Sequence, residues 1–143
     1  MGGISLKEGW KTFQISFAGI GAWLGWFLGG LDGLIYALVL FVTIDYITGV
    51  MRAILEKELS SEIGSRGVFK KVLIFTMVGI GHIIDSYILS GGSAIRTAVI
   101  FFYLSNEGVS ILENAVAIGL PVPEGLSMVL KQLRSGGDKD GSK

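Results

Sequence analysis

The chain has no cysteine, a single histidine and two prolines, and only 17% of its 143 residues are charged. Each shortage excludes something. Without cysteine there are no disulfides, no thiolate metal sites and no thiol catalysis, and the redox compartment stays open. His82 has neither a second imidazole nor a thiolate to complete a metal site, and Asp85, three residues on, is its only close acid. Ser86, Ser105 and Ser110 lack any further histidine–acid arrangement, which argues against nucleophilic catalysis. The chain is therefore expected to be no enzyme and to need no cofactor and no metal. Net charge is zero, so no single-sign field points to nucleic acid or an acidic substrate.

What is present is apolar. Half of the residues are hydrophobic and the mean hydropathy is +0.63, whereas a soluble domain carries about 25% charge. Four hydrophobic segments stand out, at Thr12–Gly30, Gly33–Leu55, Val68–Leu89 and Ala94–Gly119. Each is close to the ~20 residues that cross a hydrocarbon core. Glycine turns, GGLD at Gly29–Asp32 and SGGS at Ser90–Ser93, break the first and last pairs, and a charged, turn-forming loop is expected over Glu56–Arg66. Lys7 and Lys11 precede the first segment as in a secretory signal, but no clean small-x-small cleavage site follows. That segment is expected to be retained. Every basic residue except Arg96 falls on one side of these spans, which the positive-inside rule places in the cytoplasm together with both termini. The expected fold is all-α, multi-pass and membrane-embedded, with four transmembrane helices. The alternative is three, with the glycine-rich first segment lying in the interface.

The fourth segment carries polarity where lipid tolerates it least. At about 100° per residue, Arg96, Tyr103, Glu107, Ser110 and Asn114 fall within about 40° of one line. A mid-bilayer charge costs about 3 kcal/mol even on a lenient scale, so such a stripe must be paired, buried or wetted. Beyond it, Pro121 and Pro123 end the helix. Leu126, Val129, Leu130 and Leu133 then recur at helical spacing, so a short amphipathic C-terminal helix should rest on the membrane surface or on a partner. Residues 1–134 read as one domain and 135–143 as a disordered polar tail.

The runs DYITGV (Asp45–Val50), SSEIGSRGVFKK (Ser60–Lys71), HIID (His82–Asp85) and SNEGVSILENAVAIGLPVPEGL (Ser105–Leu126) occur in that order. Together they resemble the phage-lysis and toxin-secretion holin family, small multi-span proteins of phages of Gram-positive hosts and of clostridial toxin loci. The resemblance covers about Val42 to Leu133; the first 40 residues and the tail carry no such motif. It implies a bacterial cytoplasmic-membrane protein whose partners are the lipid bilayer and further copies of itself. Those copies would form a lesion that releases a cell-wall hydrolase or a toxin as passing cargo. The alternatives are a small ion channel or transporter subunit, and a non-conducting membrane scaffold.

Physics restricts such a protein further. Helices packed ~8–10 Å apart leave no lumen, and a 15.3 kDa chain cannot enclose a path for a folded enzyme, so any hole needs many copies. Gly21, Gly25, Gly29 and Gly33 recur every four residues as a candidate helix-packing face, though glycine is common throughout the chain. The candidate inter-helix or pore-lining polar face is Asp45, Arg52, Asp85, Arg96, Glu107, Ser110, Glu113 and Asn114. Matching depths suggest pairing of Arg52 with Glu113, within or between subunits, and of Asp85 with Arg96. Glu107 has no basic residue at its expected depth, so it should be protonated or hydrogen-bonded to Asn or Ser neighbours. These charges could equally serve only to set bundle register. Arg66, Lys70 and Lys71 are candidate lipid-headgroup contacts, beyond their role in orienting the chain.

Overall fold

A computed structural model of the chain describes residue 3 and residues 5–138. Its elements are α1 (Leu6–Phe27), α2 (Gly33–Leu55), α3 (Ser61–Ile83, continued as a π turn over Ile84–Ile88), α4 (Ala94–Ile118) and α5 (Glu124–Asp138). No strand occurs among the described residues. Asp32 and Ser60 start α2 and α3 by accepting the backbone N–H groups of Ile35 and Ile63. Gly119, at φ 103°, ends α4 in the left-handed conformation that glycine adopts without strain.

Because Ser60 caps α3, that helix begins well before Val68. The link between α2 and α3 shrinks to Glu56–Ser60, and Arg66, Lys70 and Lys71 stand on a helix rather than beside a charged loop. The C-terminal helix is also longer than expected. It runs through Asp138 into the segment expected to be disordered, while 139–143 lie outside the described residues.

Three helices build the core. Lys71, Ile74, Val78, Gly81 and Asp85 share one face of α3, at spacings of three and four residues. Ile35, Leu38, Val42 and Asp45 do the same on α2, and Arg96, Ile100, Glu107 and Asn114 on α4. The middle of these stripes is an apolar layer in which Leu38, Val78 and Ile100 are fully enclosed. Polar residues occupy both ends. The outside is the reverse of a soluble bundle: Tyr36, Leu40, Phe69, Leu73, Phe101 and Phe102 all project outward and exposed. By length and composition, α2 (23 residues, hydropathy 2.0) and α3 with its π turn (28 residues, hydropathy 1.6) can cross a bilayer.

α1 is peripheral. A Ser5–Glu8 capping box starts it, yet none of its residues is buried. Its hold on the bundle is at its end, where Phe27 stacks on Trp23 at 5.6 Å and lies over Gly79. Any Cβ at Gly79 would overlap the Phe27 ring. The glycine ridge is correspondingly broken. Gly21 faces open space and Gly25 faces only Leu31, Gly29 sits in the turn at φ 80°, and Gly33 is the first residue of the next helix.

Candidate functional site

The two ends of the core hold two buried charge networks. The outer one ties the glycine turns together. Arg96, 3% exposed, donates from Nε to the Leu28 carbonyl at 2.5 Å and from one terminal nitrogen to Asp32 Oδ2 at 2.7 Å. Its other terminal nitrogen reaches the Gly30 carbonyl at 3.0 Å and Asp32 Oδ1 at 3.2 Å. Asp85 was expected to pair with the Arg96 side chain. It instead accepts the backbone N–H groups of Ile95 and Arg96 at 2.9 and 2.8 Å. The cause is local: Ser93 makes no side-chain cap to α4, and the π turn around Asp85 lets its carboxylate supply that cap from the neighbouring helix. Gly81 permits the approach, because a Cβ there would sit 3.2 Å from the Arg96 backbone. Gly29 combines a positive φ with a lack of room, since a Cβ would fall 2.8 Å from the Arg96 side chain. The Arg96 guanidinium, hydrogen-bonded to Asp32, holds that carboxyl below its usual 3.8, against a smaller opposing effect of desolvation.

The inner network lies deeper. Asp45 is 13 residues after Asp32, Glu107 is 11 after Arg96 and Lys71 is 14 before Asp85. At ~1.5 Å per residue these separations are all about 16–21 Å, which brings the three side chains to one level. The Lys71 ammonium donates to both Asp45 Oδ2 and Glu107 Oε2. The Asn114 amide donates to Asp45 Oδ1 at 3.3 Å and to Thr48 Oγ1 at 3.1 Å. Two open hollows flank the cluster. One, of about 240 Å³, runs past Tyr46, Gly49 and Ser110 toward Leu59 and Ile63 near the α2–α3 link. The other, of about 440 Å³, lies between α3 and α4 beside Tyr103, Asn106 and Glu107.

Several expectations change. Lys71 is not a headgroup contact but the cation at the centre of the inner cluster, and it is the basic partner that Glu107 was expected to lack. Within the chain Arg52 pairs with Glu56 on its own helix at 2.9 Å; Arg52 and Glu113 line a common groove with Lys131. Arg66 bonds Glu62 at 3.1 Å, one turn back and fully in the open. Lys70 stays exposed at the mouth of the smaller hollow. Asp45, Glu107, Ser110 and Asn114 do come together. Sequence reasoning missed Asp32, Thr48 and Lys71. Asp32 was readable as a helix cap, and the spacing Lys71–Ile74–Val78–Gly81–Asp85 carried the signal for Lys71. Among the described residues no three His, Asp or Glu side chains converge as metal ligands.

An all-helical bundle with an apolar exterior, two spanning-length helices and a charged cluster buried between its helices is built as a membrane protein. Over residues 22–135 the chain matches the bacteriophage holin family, and it belongs to that family. It is 46% identical over 120 residues to an uncharacterised protein of Listeria innocua, covering 84% of this chain and 82% of that one. Identity to an uncharacterised protein of Clostridium perfringens is 41% over 116 residues, covering 81% and 86%. A probable holin of Bacillus phage phi105 is 36% identical over 96 residues, covering 67% of this chain and 70% of that one. No solved structure matches the chain. The family match begins inside α1, so most of the peripheral helix lies outside it.

Proposed function

We propose that this protein acts as a holin. It crosses the bacterial cytoplasmic membrane four times with both termini inside, and its copies assemble into a lesion that lets a cell-wall hydrolase or a toxin out. The observation that carries this reading is a buried charged layer at mid-helix depth in a chain of the holin family. A single copy has no passage, because Leu38, Val78 and Ile100 close the centre of the bundle. Polar faces now turned inward toward Lys71 would have to turn toward water between copies. The orientation is supported by the outer knot, which gathers both glycine turns around Arg96, the one basic residue expected outside. A three-span arrangement is favoured by one observation, the absence of any buried residue in α1. In that arrangement α1 lies along the membrane surface until copies assemble.

Expression in a bacterium with a co-expressed cytoplasmic hydrolase tests the function. A holin kills abruptly after a delay and releases the enzyme, whereas a selective channel depolarises the cell and releases no protein. Cysteines introduced at Ser60 and Ser93 test the topology with an impermeant thiol reagent. Before lysis Ser93→Cys should label and Ser60→Cys should not.

A further inference from the structure

The two buried networks have the same charge inventory, one cation and two carboxylates, but only one of them is balanced. In the outer network Asp85 is neutralised by two backbone N–H groups at the N-terminus of α4, where the helix dipole is positive. The inner network has no such relief. Asp45 is 10 residues from the end of α2 and Glu107 is 11 from the end of α4, roughly 15 Å from the nearest terminus. Beyond Lys71, the donor to Asp45 is the neutral Asn114 amide. The titratable and charged groups facing the cluster are Asp45 and Tyr46 from α2, Lys70 and Lys71 from α3, and Tyr103 and Glu107 from α4. Lys70 lines both hollows but is exposed, and the cation bonded to the two carboxylates is Lys71. Fully ionised, the cluster would hold a net negative charge in the hydrocarbon layer. Asp45 and Glu107 also accept from the same Lys71 nitrogen, so the two carboxyl groups stand side by side, where like charges repel unless one of them carries a proton.

We propose that Asp45 and Glu107 share one exchangeable proton beside Lys71, so that the closed bundle contains a neutral, proton-loaded site. The step is a simple dissociation. The carboxylic acid gives its proton to a water molecule in the adjoining hollow, hydronium leaves toward the α2–α3 link, and the cluster passes from neutral to a charge of −1. The smaller hollow provides the route, since it joins Asp45 to the region of Leu59 and Ile63. A net charge at this depth must be hydrated, and the larger hollow between α3 and α4 is where water enters. Loss of the proton therefore loosens α3 from α4. The site itself rests only on membrane residence; its consequence for opening rests on the holin reading above.

The full chain reconstituted in lipid nanodiscs tests this by infrared difference titration. At neutral pH the wild type should show the carbonyl stretch of a protonated carboxylic acid, and that band should vanish as the pH is raised. Glu107→Gln and Asp45→Asn should each abolish it, because one carboxylate against Lys71 needs no proton. Lys71→Met should keep the band to a pH about one unit higher or more, since its nearby positive charge is gone. Circular dichroism checks that each variant is folded, and the two carboxamide variants provide the result if Lys71→Met is not. A wild-type spectrum without the band at neutral pH overturns the proposal, as does a band untouched by both carboxamide variants. A cluster neutralised by a metal cation would show no acid band and a thermal stability that depends on sodium, which also overturns it. A band behaving as expected in a protein that releases no hydrolase from cells would uphold the site and refute the holin reading.

Discussion

The outer and inner charge networks solve the same problem with different cations. Arg96 presents a planar fork with several fixed donors, and it satisfies two carbonyls and a carboxylate on another turn of the chain at once. Its surroundings are tight: Gly29 and Gly81 have no room for a methyl group. Lys71 presents one compact ammonium between two carboxylates, with open space on either side. An arginine fork in a closed site makes a permanent staple between turns. A lysine between titratable acids, with water at hand, makes a junction that can change its state. A protein that must first stay closed in the membrane and then rearrange has use for both.

The largest expected effect is at Arg96. Arg96→Ala leaves Asp32 and the Leu28 and Gly30 carbonyls without their donor, and unfolding in detergent should show a loss of about 3–5 kcal/mol. Arg96→Lys should recover only part of it, because one ammonium cannot reach the Leu28 and Gly30 carbonyls and the Asp32 carboxylate together. Full stability of Arg96→Lys would mean that the outer network is as adaptable as the inner. Lys71→Met should cost less, about 1–3 kcal/mol at neutral pH. That cost should shrink as the pH is lowered, because Asp45 and Glu107 can take up protons once the ammonium is gone. The Arg96→Ala cost should stay constant down to about pH 4, where Asp32 itself begins to titrate, and a shared pH dependence above that would erase the distinction.

Glycine replacements probe the difference in packing. Gly81→Ala places a Cβ 3.2 Å from the Arg96 backbone, which cannot yield, and should destabilise by about 1–3 kcal/mol. Gly49→Ala, whose Cβ would meet only the Asn114 amide at 3.7 Å, should be neutral or stabilising by about 0.5–1 kcal/mol through helix propensity. Thermal melts of the two variants side by side decide this. The smallest effect belongs to Asp32, which is half exposed. Because Arg96 lowers its pKa from 3.8, the ion pair contributes fully above that value and is lost as the pH falls through the lower folded one. The stability gap between wild type and Asp32→Asn should thus be constant from neutral to mildly acidic pH. It should close only below about pH 4. A gap that closes near neutrality would show that Arg96 does not hold this carboxylate.

Much of the architecture was legible because it is local. Hydrophobic run length marked four long helices, GGLD and SGGS marked the turns, and the Pro121–Pro123 pair marked the entry to α5. The polar line Arg96–Glu107–Ser110–Asn114 follows from helical periodicity alone and does face the interior, partly or wholly buried. What went astray depended on boundaries and partners. Reading Glu56–Arg66 as a loop hid the fact that Ser60 caps a helix about three turns below Lys71, and so turned a buried cation into a presumed headgroup contact. Equal depth suggested Arg52 and Glu113 as partners, and within one chain Glu56, one helical turn from Arg52, competes at no cost in tertiary arrangement.

By itself, the sequence determined that the chain is helical, that its solvent is lipid and that charge must be hidden inside, because length, composition and periodicity act within each segment. Only the tertiary structure decided which charges meet. Lys71 joins Asp45 and Glu107, Asp85 caps α4 rather than binding the Arg96 side chain, and α1 stays at the edge of a three-helix core. The reason is physical. Partner choice turns on the relative register of helices far apart in the chain, and that register is set by how Leu38, Val78 and Ile100 pack together and by where glycine lets two backbones approach.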